Sequence, residues 1–254
     1  MTNCKPKKSV WVTGAGKGIG RALARRLSEE GWLVHACART MMDLESLTAE
    51  CPAGGMTPHV LDITDETATR AVLHAIQNQS GVPDLAVLNA GTHIPNLASE
   101  LKIKPFRDLM ETNYMGTVSG LVLVQEMMRA QGKGHIAVVS SLAGYRGLPG
   151  ASAYGASKAA LINMCEALKP ELEMLGIKLQ LVNPGFVETP LTDKNNFKMP
   201  FLIPVETAVN HIMHGLSGNN FEITFPWKFA ILMKIFRILP DSVFFAITRR
   251  MVRL

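Results

Sequence analysis

Tyr154 and Lys158 have side-chain types and a spacing that could carry proton transfer. Residues four apart share one face of a helix, and an ammonium close to a phenol stabilises the phenolate. We therefore expect Lys158 to lower the pKa of Tyr154 from its ordinary value near 10, so that the phenol exchanges protons near neutral pH. The alternative is an ordinary pair on a helix surface. The residues around the pair are small and would keep this helix face open: Gly155, Ala156, Ser157, Ala159 and Ala160.

A glycine-rich turn, "TGAGKGIG" at residues 13–20, is the second candidate site. Its spacing is not G-x-G-x-x-G, because Ile19 and Arg21 stand where the last glycine would fall. It fits G-x-x-x-G-x-G, with Gly14, Gly18 and Gly20. Glycines between a strand and a helix let the backbone approach a pyrophosphate, whose charge the helix N-terminus favours. The turn therefore predicts a dinucleotide site, and a generic glycine turn is the alternative.

The end of the second predicted strand, "CART", indicates which dinucleotide would bind. Ala38 stands where NAD-binding chains place an acid for the ribose 2′-hydroxyl. Arg39 follows it, and Lys17 lies within the glycine turn. Two cations without a carboxylate suit a 2′-phosphate, so we expect NADP(H) as the cofactor. The alternative is that Arg39 is a solvated surface cation.

An alternation of strands and helices must position these candidates. Apolar runs predict strands at 9–14, 32–38, 58–63, 84–91, 135–141 and 177–185, with helical patterns such as 19–30 and 66–79 between them. Strands this apolar belong in a parallel sheet covered on both faces. We therefore predict an α/β fold with a single Rossmann-type, doubly wound parallel sheet in three layers. Residues 1–225 would form this dinucleotide-binding and catalytic domain, and residues 226–254 a basic amphipathic helical appendage.

The Y-x-x-x-K pair and the T-G-x-x-x-G-x-G turn together resemble the classical short-chain dehydrogenase/reductase family, over about residues 8–225. The resemblance extends to Ser141, thirteen residues before Tyr154, and to Asn113 in "METNYMG". It also includes "NAG" at 89–91 and "NPG" at 183–185. One departure is Leu88, where the family has a second asparagine before the NAG motif.

The resemblance implies a role for each member of a catalytic tetrad. Tyr154 would pass a proton to or from the substrate oxygen, and Ser141 would hydrogen-bond that oxygen. Lys158 would bind the nicotinamide ribose, and Asn113 would position a water that links Lys158 to solvent. Asp62 would meet the adenine ring. The resemblance implies further cofactor contacts at Ile19, Asn89, Ala90, Gly91, Pro184, Gly185, Val187 and Thr189.

The net charge of +5 lies entirely near the end of the 254-residue chain. From Lys228 onward there are six Lys and Arg against one acid, which leaves 20 of each before it, so the basic balance does not indicate nucleic-acid binding. Four cysteines without C-x-x-C spacing and a start without a signal-peptide segment predict a cytoplasmic location. No metal site is expected, because His211 and His214 have no third ligand in a recognisable motif.

Residues 186–204 form a proline-punctuated segment that could close over a substrate. Its apolar residues are Met199, Phe201, Leu202 and Ile203, and the resemblance brings Ile94, Leu142 and Phe186 close by. We therefore expect a small lipophilic carbonyl or alcohol substrate. The alternative is a loop that packs only on its own protein.

The tail at 226–254 is too short and too charged to span a bilayer. From Asp241 onward, one side carries Val243, Ile247, Met251 and Leu254, and the other carries Arg249, Arg250 and Arg253. This pattern is typical of an amphipathic helix on anionic lipid. The alternative is a pair of helices that pack on the protein or its mate and roof the substrate pocket.

We therefore expect an NADP(H)-dependent oxidoreductase that interconverts a lipophilic alcohol and its ketone or aldehyde. The resemblance implies a homodimer or homotetramer, and the tail predicts a peripheral membrane contact. Two other functions stay open on the same fold: a non-enzymatic NADP-binding regulator, and a peripheral membrane module whose redox site is secondary.

Overall fold

The computed structural model describes residues 7–194, 197 and 199–252. Cys4, Arg253 and Leu254, which the sequence predictions include, lie outside the described residues. No helix in the described part of the chain is long and apolar enough to cross a membrane.

Seven strands in the described residues form one parallel sheet in the order β3-β2-β1-β4-β5-β6-β7. The order reverses between β1 and β4, and this switch creates a crevice at the carboxyl ends of the strands. The strands are β1 (Ser9–Thr13), β2 (Leu33–Ala38), β3 (Met56–Val60), β4 (Leu85–Leu88), β5 (Gly134–Val139), β6 (Ile177–Pro184) and β7 (Glu222–Phe225).

Helices cover both faces of the sheet and bury its apolar side chains in two separate cores. Leu23, Leu44 and Ile212 join one core, and Leu73, Leu121 and Leu161 join the other. The helices are α1 (Gly18–Glu29), α2 (Met41–Ala49), α3 (Glu66–Ser80), α4 (Ile103–Leu109), α5 (Gly116–Ala130), α6 (Ser152–Met174), α7 (Val205–Ser217), α8 (Trp227–Ile238) and α9 (Asp241–Arg249). Helices α1, α2 and α7 contribute to the first core, and α3, α5, α6, α8 and α9 to the second. The predicted doubly wound, three-layer fold with a helical appendage is confirmed.

Several predicted strand boundaries are wrong at their carboxyl ends. The predicted strand at 84–91 ends at Leu88, and the one at 58–63 is shifted to Met56–Val60. The polar residues beyond each strand end form the loops of the crevice, where backbone groups turn away from the sheet ladder. Strand β7, which the prediction lacked, has only four residues.

Helices α8 and α9 pack against the second core through one face each. The buried side chains are Phe229, Met233 and Phe236 of α8 and Phe244 of α9. The rings of Phe236 and Phe244 meet edge to face, with centroids 5.8 Å apart. The tail is therefore integrated with the sheet-covering helices, and its division from residues 1–225 remains a prediction.

Arg146 fixes the corner between α8 and α9. Its guanidinium donates to the carbonyl oxygens of Phe236 (2.5 Å) and Leu239 (2.6 Å) and pairs with Asp241 (2.5 Å). It also lies over the Phe244 ring, 4.0 Å from the centroid. Because the last carbonyls of a helix lack partners within the helix, Arg146 satisfies two groups that the end of α8 would leave open.

Glu222 of β7 makes a second polar connection to the tail. Its carboxylate accepts hydrogen bonds from Tyr145 and from the Asn183 amide (2.7 Å), and it pairs with Lys234 of α8 (2.9 Å). Burial opposes the ionised carboxylate, but the hydrogen bonds from Lys234, Tyr145 and Asn183 outweigh it and lower the pKa of Glu222. Tyr145 and Arg146 thus connect the loop after β5 to the tail.

Candidate active site

A cavity of about 2200 Å³ runs along the carboxyl edge of the sheet. The glycine turn lines one end, and residues of α8 and α9 line the other. All members of the predicted tetrad except Asn113 line it directly, as do the predicted cofactor residues Gly14, Lys17, Gly18, Ile19, Gly20, Arg39, Asp62, Asn89, Ala90, Gly91, Pro184, Gly185, Val187 and Thr189.

Tyr154 and Ser141 meet at the middle of this cavity. Ser141 follows β5, and Tyr154 lies in the first turn of α6. Their side chains are hydrogen-bonded to each other. The Ser141 hydroxyl also accepts from the Ala143 amide (3.1 Å), which orients it at the start of the loop. A phenol and a hydroxyl are thus placed to contact one substrate oxygen.

The expected lowering of the Tyr154 pKa by Lys158 is wrong for the chain alone. Burial raises the pKa of Tyr154, and the hydrogen bond with Ser141 opposes this rise only in part. The Lys158 ammonium lies 5.8 Å from the centre of the tyrosine ring and donates to the Val139 carbonyl (3.0 Å). Burial also lowers the pKa of Lys158 to about 8. The cause is that desolvation disfavours both charged forms.

Asn113 lies behind the tetrad and is fully buried in a π-helical turn, Met110–Met115, between α4 and α5. Its amide oxygen accepts from the Thr92 amide (2.7 Å), and its amide nitrogen donates to the Thr92 carbonyl (2.9 Å) and to Ser157 (3.0 Å). The wider turn leaves backbone groups out of the ordinary helical ladder, as is frequent at functional sites. A Cβ atom on Gly91 would lie 3.2 Å from Asn113 and 3.4 Å from Lys158, so the absence of a side chain at Gly91 leaves room for these two side chains.

The glycine turn is closely packed against the loop after β4. Gly14 and Gly18 have φ values of 67° and 56°, which favour glycine. A Cβ atom on Gly20 would clash with the Gly14 carbonyl and with the Asn89 amide, which itself donates to the carbonyls of Thr13 and Gly14 (3.1 and 3.2 Å). The open backbone at the start of α1 fits the pyrophosphate of a dinucleotide.

The adenosine end of the cavity contains one carboxylate that the sequence prediction missed. Asp43 of α2 lies 3.6 Å from the Lys17 ammonium, so the premise of two cations without an acid is wrong. Its position in the first turn of α2, four residues after Arg39, was the available signal. Arg39 is exposed just beyond β2, and it helps to lower the pKa of Asp62, although hydrogen bonds from Thr64 contribute more.

The segment after β6 forms the nicotinamide-side wall of the cavity. Val187 is buried and bridges to Ile203, and the Thr192 hydroxyl donates to the Val187 carbonyl (2.6 Å). Thr189 lies against Gly18: a Cβ atom on that glycine would come within 3.2 Å of the threonine side chain. Pro184 and Gly185 lead directly into this wall from the strand. These four residues of the prediction are therefore gathered opposite the glycine turn.

The substrate end is apolar, but its lining differs from the prediction. Ile94, Leu142 and Phe186 line the cavity as expected. The lining includes Phe197 and Pro200 but not Met199, Phe201, Leu202 or Ile203. The physical reason is that Phe201 stacks on Phe229 (centroids 5.9 Å apart) and Ile203 pairs with Val187.

The tail supplies the rest of the lining at this end. This agrees with one of the two alternatives left open by the sequence, in which the tail helices roof the substrate pocket. Side chains from α8, α9 and the residues that follow line the cavity: Phe229, Leu232, Met233, Phe236, Phe244, Phe245, Thr248, Arg249, Arg250, Met251 and Val252. Another missed residue is His93, whose ring meets that of Tyr154 edge to face with centroids 4.8 Å apart. Its position two residues after Gly91, in the loop that follows β4, was a usable signal.

Other reactive side chains do not form a competing site in the described residues. No group of three or more His, Cys, Asp or Glu there could hold a metal ion. His211 stacks on Phe225, with centroids 5.4 Å apart. Cys37, Cys51 and Cys165 are free thiols, and burial raises the pKa of each.

Comparisons with known proteins agree with this geometry. The family described as short chain dehydrogenase matches residues 8–199. An uncharacterized oxidoreductase of Myxococcus xanthus is 38% identical over 246 residues, which cover 96% of this chain and 97% of that protein. A 3-oxoacyl-acyl-carrier-protein reductase of Thermotoga maritima is 33% identical over 214 residues, 84% of this chain and 85% of that protein.

Two solved structures are similar in fold. A short chain dehydrogenase/reductase from Burkholderia phymatum in complex with NAD has a TM-score of 0.81 at 20% identity and covers 90% of this chain and 92% of its own. ElxO with NADP bound has a TM-score of 0.77 at 25% identity, covering 86% and 97%. With the family match across most of the chain, this protein belongs to the short-chain dehydrogenase/reductase family and is an oxidoreductase.

Proposed function

We propose that this protein is an NADP(H)-dependent oxidoreductase that interconverts a lipophilic alcohol and its ketone or aldehyde. One observation carries the proposal. Tyr154, hydrogen-bonded to Ser141 and with Lys158 behind it, faces a cavity that joins a glycine turn to an apolar wall.

In carbonyl reduction, the Tyr154 hydroxyl gives its proton to the substrate oxygen while the Ser141 hydroxyl holds that oxygen. The nicotinamide, when bound, supplies or accepts the hydride at the carbon. Because burial raises the pKa of Tyr154, the phenol is protonated near neutral pH and ready to act as the acid. Lys158 binds the nicotinamide ribose, and its positive charge favours the phenolate left after proton transfer. Asn113, held by Thr92, positions the water that returns a proton through Lys158.

Selection of NADP(H) over NAD(H) rests on Ala38 and Arg39 at the end of β2. No acid stands at Ala38 to hold a 2′-hydroxyl, and the Arg39 guanidinium is exposed beside it, where it can pair with a 2′-phosphate. Asp43 weakens the contribution of Lys17, because the two form a partly exposed ion pair. Arg39 is therefore the main determinant of cofactor choice in this proposal.

A lipophilic substrate is supported by the apolar end of the cavity. Phe186, Phe229 and Phe236 contribute aromatic surface there, and pockets of this composition bind ligands mainly by removing apolar area from water. The relative from Thermotoga maritima is named for a substrate in which a carbonyl lies on an acyl chain. That chemistry fits a cavity with a polar pair at its centre and an apolar wall beyond it.

The test is NADPH oxidation with ketones and aldehydes of increasing chain length, each repeated with NADH. We expect turnover that depends on NADPH, with KM falling as the apolar chain lengthens. Tyr154→Phe should lower kcat by about 10²–10⁴-fold while NADPH binding, measured by fluorescence, stays intact. NADPH binding without turnover of any carbonyl would favour the non-enzymatic regulator instead.

The proposed assembly state rests on the family resemblance, and the proposed cellular location rests on the amino-acid composition. We propose a homodimer or homotetramer in the cytoplasm. Light scattering on a sizing column measures the assembly, and cell fractionation measures the location.

A further inference from the structure

Helix α8 is apolar on two opposite sides. Phe229, Met233 and Phe236 face the core, whereas Trp227, Ile231, Ile235 and Ile238 form an exposed stripe at spacings of four, four and three residues. The side chain of Ile238 is 79% exposed, and that of Trp227 is 64% exposed. A helix that is apolar all round is normally covered on every side, so the exposed stripe calls for a partner.

Helix α9 also exposes apolar side chains. Val243 and Ile247, four residues apart, are 45% and 38% exposed, while Phe244 and Thr248 turn inward. The exposed stripe and these two residues together are called the tail surface: Trp227, Ile231, Ile235, Ile238, Val243 and Ile247. An apolar area of this kind, rimmed by polar groups, marks an interaction site.

The tail itself contributes an excess of positive charge beside the tail surface. Within the described part of the tail, Lys228, Lys234, Arg237, Arg249 and Arg250 accompany a single acid, Asp241. That acid is already paired with Arg146. Lys234 and Arg237 are paired with Glu222 and Glu166 outside the tail, so Lys228, Arg249 and Arg250 are the cations left to meet a partner. Lys228 and Lys234 lie on opposite flanks of the stripe in the helical repeat, and the Lys228 ammonium sits 5.6 Å from the Trp227 ring centre. Long cationic side chains beside an aromatic ring and exposed isoleucines are typical of a helix lying in a membrane interface.

We propose that the tail surface docks the protein on an anionic membrane. A second copy of the chain is a poorer occupant, because two tail surfaces face to face would bring Lys228, Arg249 and Arg250 of each copy together. The acids Asp241, Glu222 and Glu166 are already paired with Arg146, Lys234 and Arg237. An anionic bilayer accepts the isoleucines and attracts the cations at once. The proposal goes beyond the reductase function and does not depend on it.

Docking in this way would bring part of the cavity rim towards the lipid. Phe245, Arg249 and Met251 both line the cavity and are exposed, so they form part of its rim beside the tail surface. An apolar substrate dissolved in the bilayer could then enter without crossing water.

The experiment is co-sedimentation of the full chain with vesicles, without cofactor or substrate. Vesicles of phosphatidylcholine alone are compared with vesicles that also contain phosphatidylglycerol. We expect binding to the anionic vesicles that weakens as salt is added. The double variant Ile231→Glu, Ile235→Glu should reduce the bound fraction at least about tenfold. It puts two negative charges on the face that meets the lipid, where the anionic headgroups repel them.

Two matched controls separate docking from general surface effects. Met174→Glu changes an 89%-exposed methionine at the end of α6, on the opposite edge of the sheet, and should bind vesicles as the parent does. Lys228→Gln, Arg249→Gln, Arg250→Gln should lose the preference for anionic lipid, whereas Lys133→Gln, in an exposed turn before β5, should keep it.

Three outcomes would overturn the proposal: no vesicle binding by the parent chain, equal binding by parent and double variant, or a smaller assembly of the double variant on a sizing column without lipid. The last would show that a second copy covers the tail surface. Ile231 and Ile235 do not line the cavity, so reduction of a short soluble carbonyl should be unchanged in the double variant. If the parent chain itself does not reduce the short soluble carbonyl, that result counts against the proposed reductase function and leaves the membrane proposal standing.

Discussion

The two ends of the cavity are built in different ways. At the nucleotide end, Gly14, Gly18 and Gly20 place backbone against backbone within a few residues of one strand end. At the tail end, side chains from α8 and α9 form the wall, held by contacts such as Arg146 to Leu239 and Tyr145 to Glu222, 93 and 77 residues apart in sequence. A turn in which backbone packs against backbone tolerates almost no added side chain. A wall of packed side chains can accept substitutions while its helices keep their positions.

The largest effect is expected where backbone meets backbone. Gly20→Val would push a side chain into the Gly14 carbonyl and the Asn89 amide, so we expect NADPH affinity to fall at least about a hundredfold. Gly218→Ala is the control, since its added Cβ atom would meet only ordinary contacts. Binding is measured by NADPH fluorescence, and near-parent affinity of the valine variant would contradict the close packing of the turn.

Acid should destabilise the whole sheet, because each half of the sheet contains a histidine that burial keeps neutral. Burial lowers the pKa of His35 in β2 and of His135 in β5 from 6.5 to about 4. The unfolded chain takes up protons below pH 6.5 that the folded chain refuses until about pH 4, so stability falls across this window as the pH decreases. Each histidine accounts for up to about 3 kcal/mol of that loss.

Urea unfolding at several pH values between 6.5 and 4 measures this loss. His35→Gln and His135→Gln should each flatten the dependence, and His74→Gln, which changes an exposed histidine, should not. A pH dependence unchanged in both buried variants would show that other groups control the acid response.

Arg146→Ala tests whether the tail wall is held from the active-site loop. The change removes the hydrogen bonds to Phe236 and Leu239 and the ion pair with Asp241, so the wall loosens. We expect KM for long-chain carbonyls to rise about tenfold, with little change in kcat or in KM for short ones. Arg70→Ala, in exposed pairs with Glu66 and Glu126, is the control. An equal rise for short and long substrates would place the effect at Ser141 instead of the wall.

The effects expected at the exposed adenosine end are no larger than those at the tail wall. Arg39→Ala should raise KM for NADPH about tenfold without changing KM for NADH. Asp43→Asn should act in the opposite direction by a few-fold, because it releases Lys17 from an exposed pair. Steady-state kinetics with both cofactors measures the two changes. An equal loss with both cofactors in Arg39→Ala would remove the basis for NADP(H) selection.

The sequence predicts the nucleotide end well, because its determinants are local. The glycine spacing, the apolar strands and the four-residue step from Tyr154 to Lys158 each depend on neighbours along the chain. The protonation of Tyr154 could not be predicted in the same way, because it depends on how far α6 and its surroundings exclude water. Asp43 was missed because its approach to Lys17 depends on how α2 packs beside the turn.

The tail end lay largely beyond prediction for the same reason. The apolar residues of the tail could be counted, but which of them face the cavity depends on Arg146 and on the packing of Phe236 against Phe244. The segment at 186–204 shows the same limit: Phe201 has an apolar side chain near the cavity, yet it stacks on Phe229 and leaves the lining to Phe197. The sequence pattern identifies which residues are apolar, but tertiary contacts determine which of them line the cavity.

The two-sided character of α8 has a thermodynamic consequence. One side of the helix borders the space for substrate, and the other carries the surface proposed to meet lipid. If substrate favours one position of this helix and lipid favours the same one, each ligand must tighten the other by an equal factor. Vesicle affinity measured with and without a saturating long-chain ketone would then give the coupling free energy between substrate binding and lipid binding.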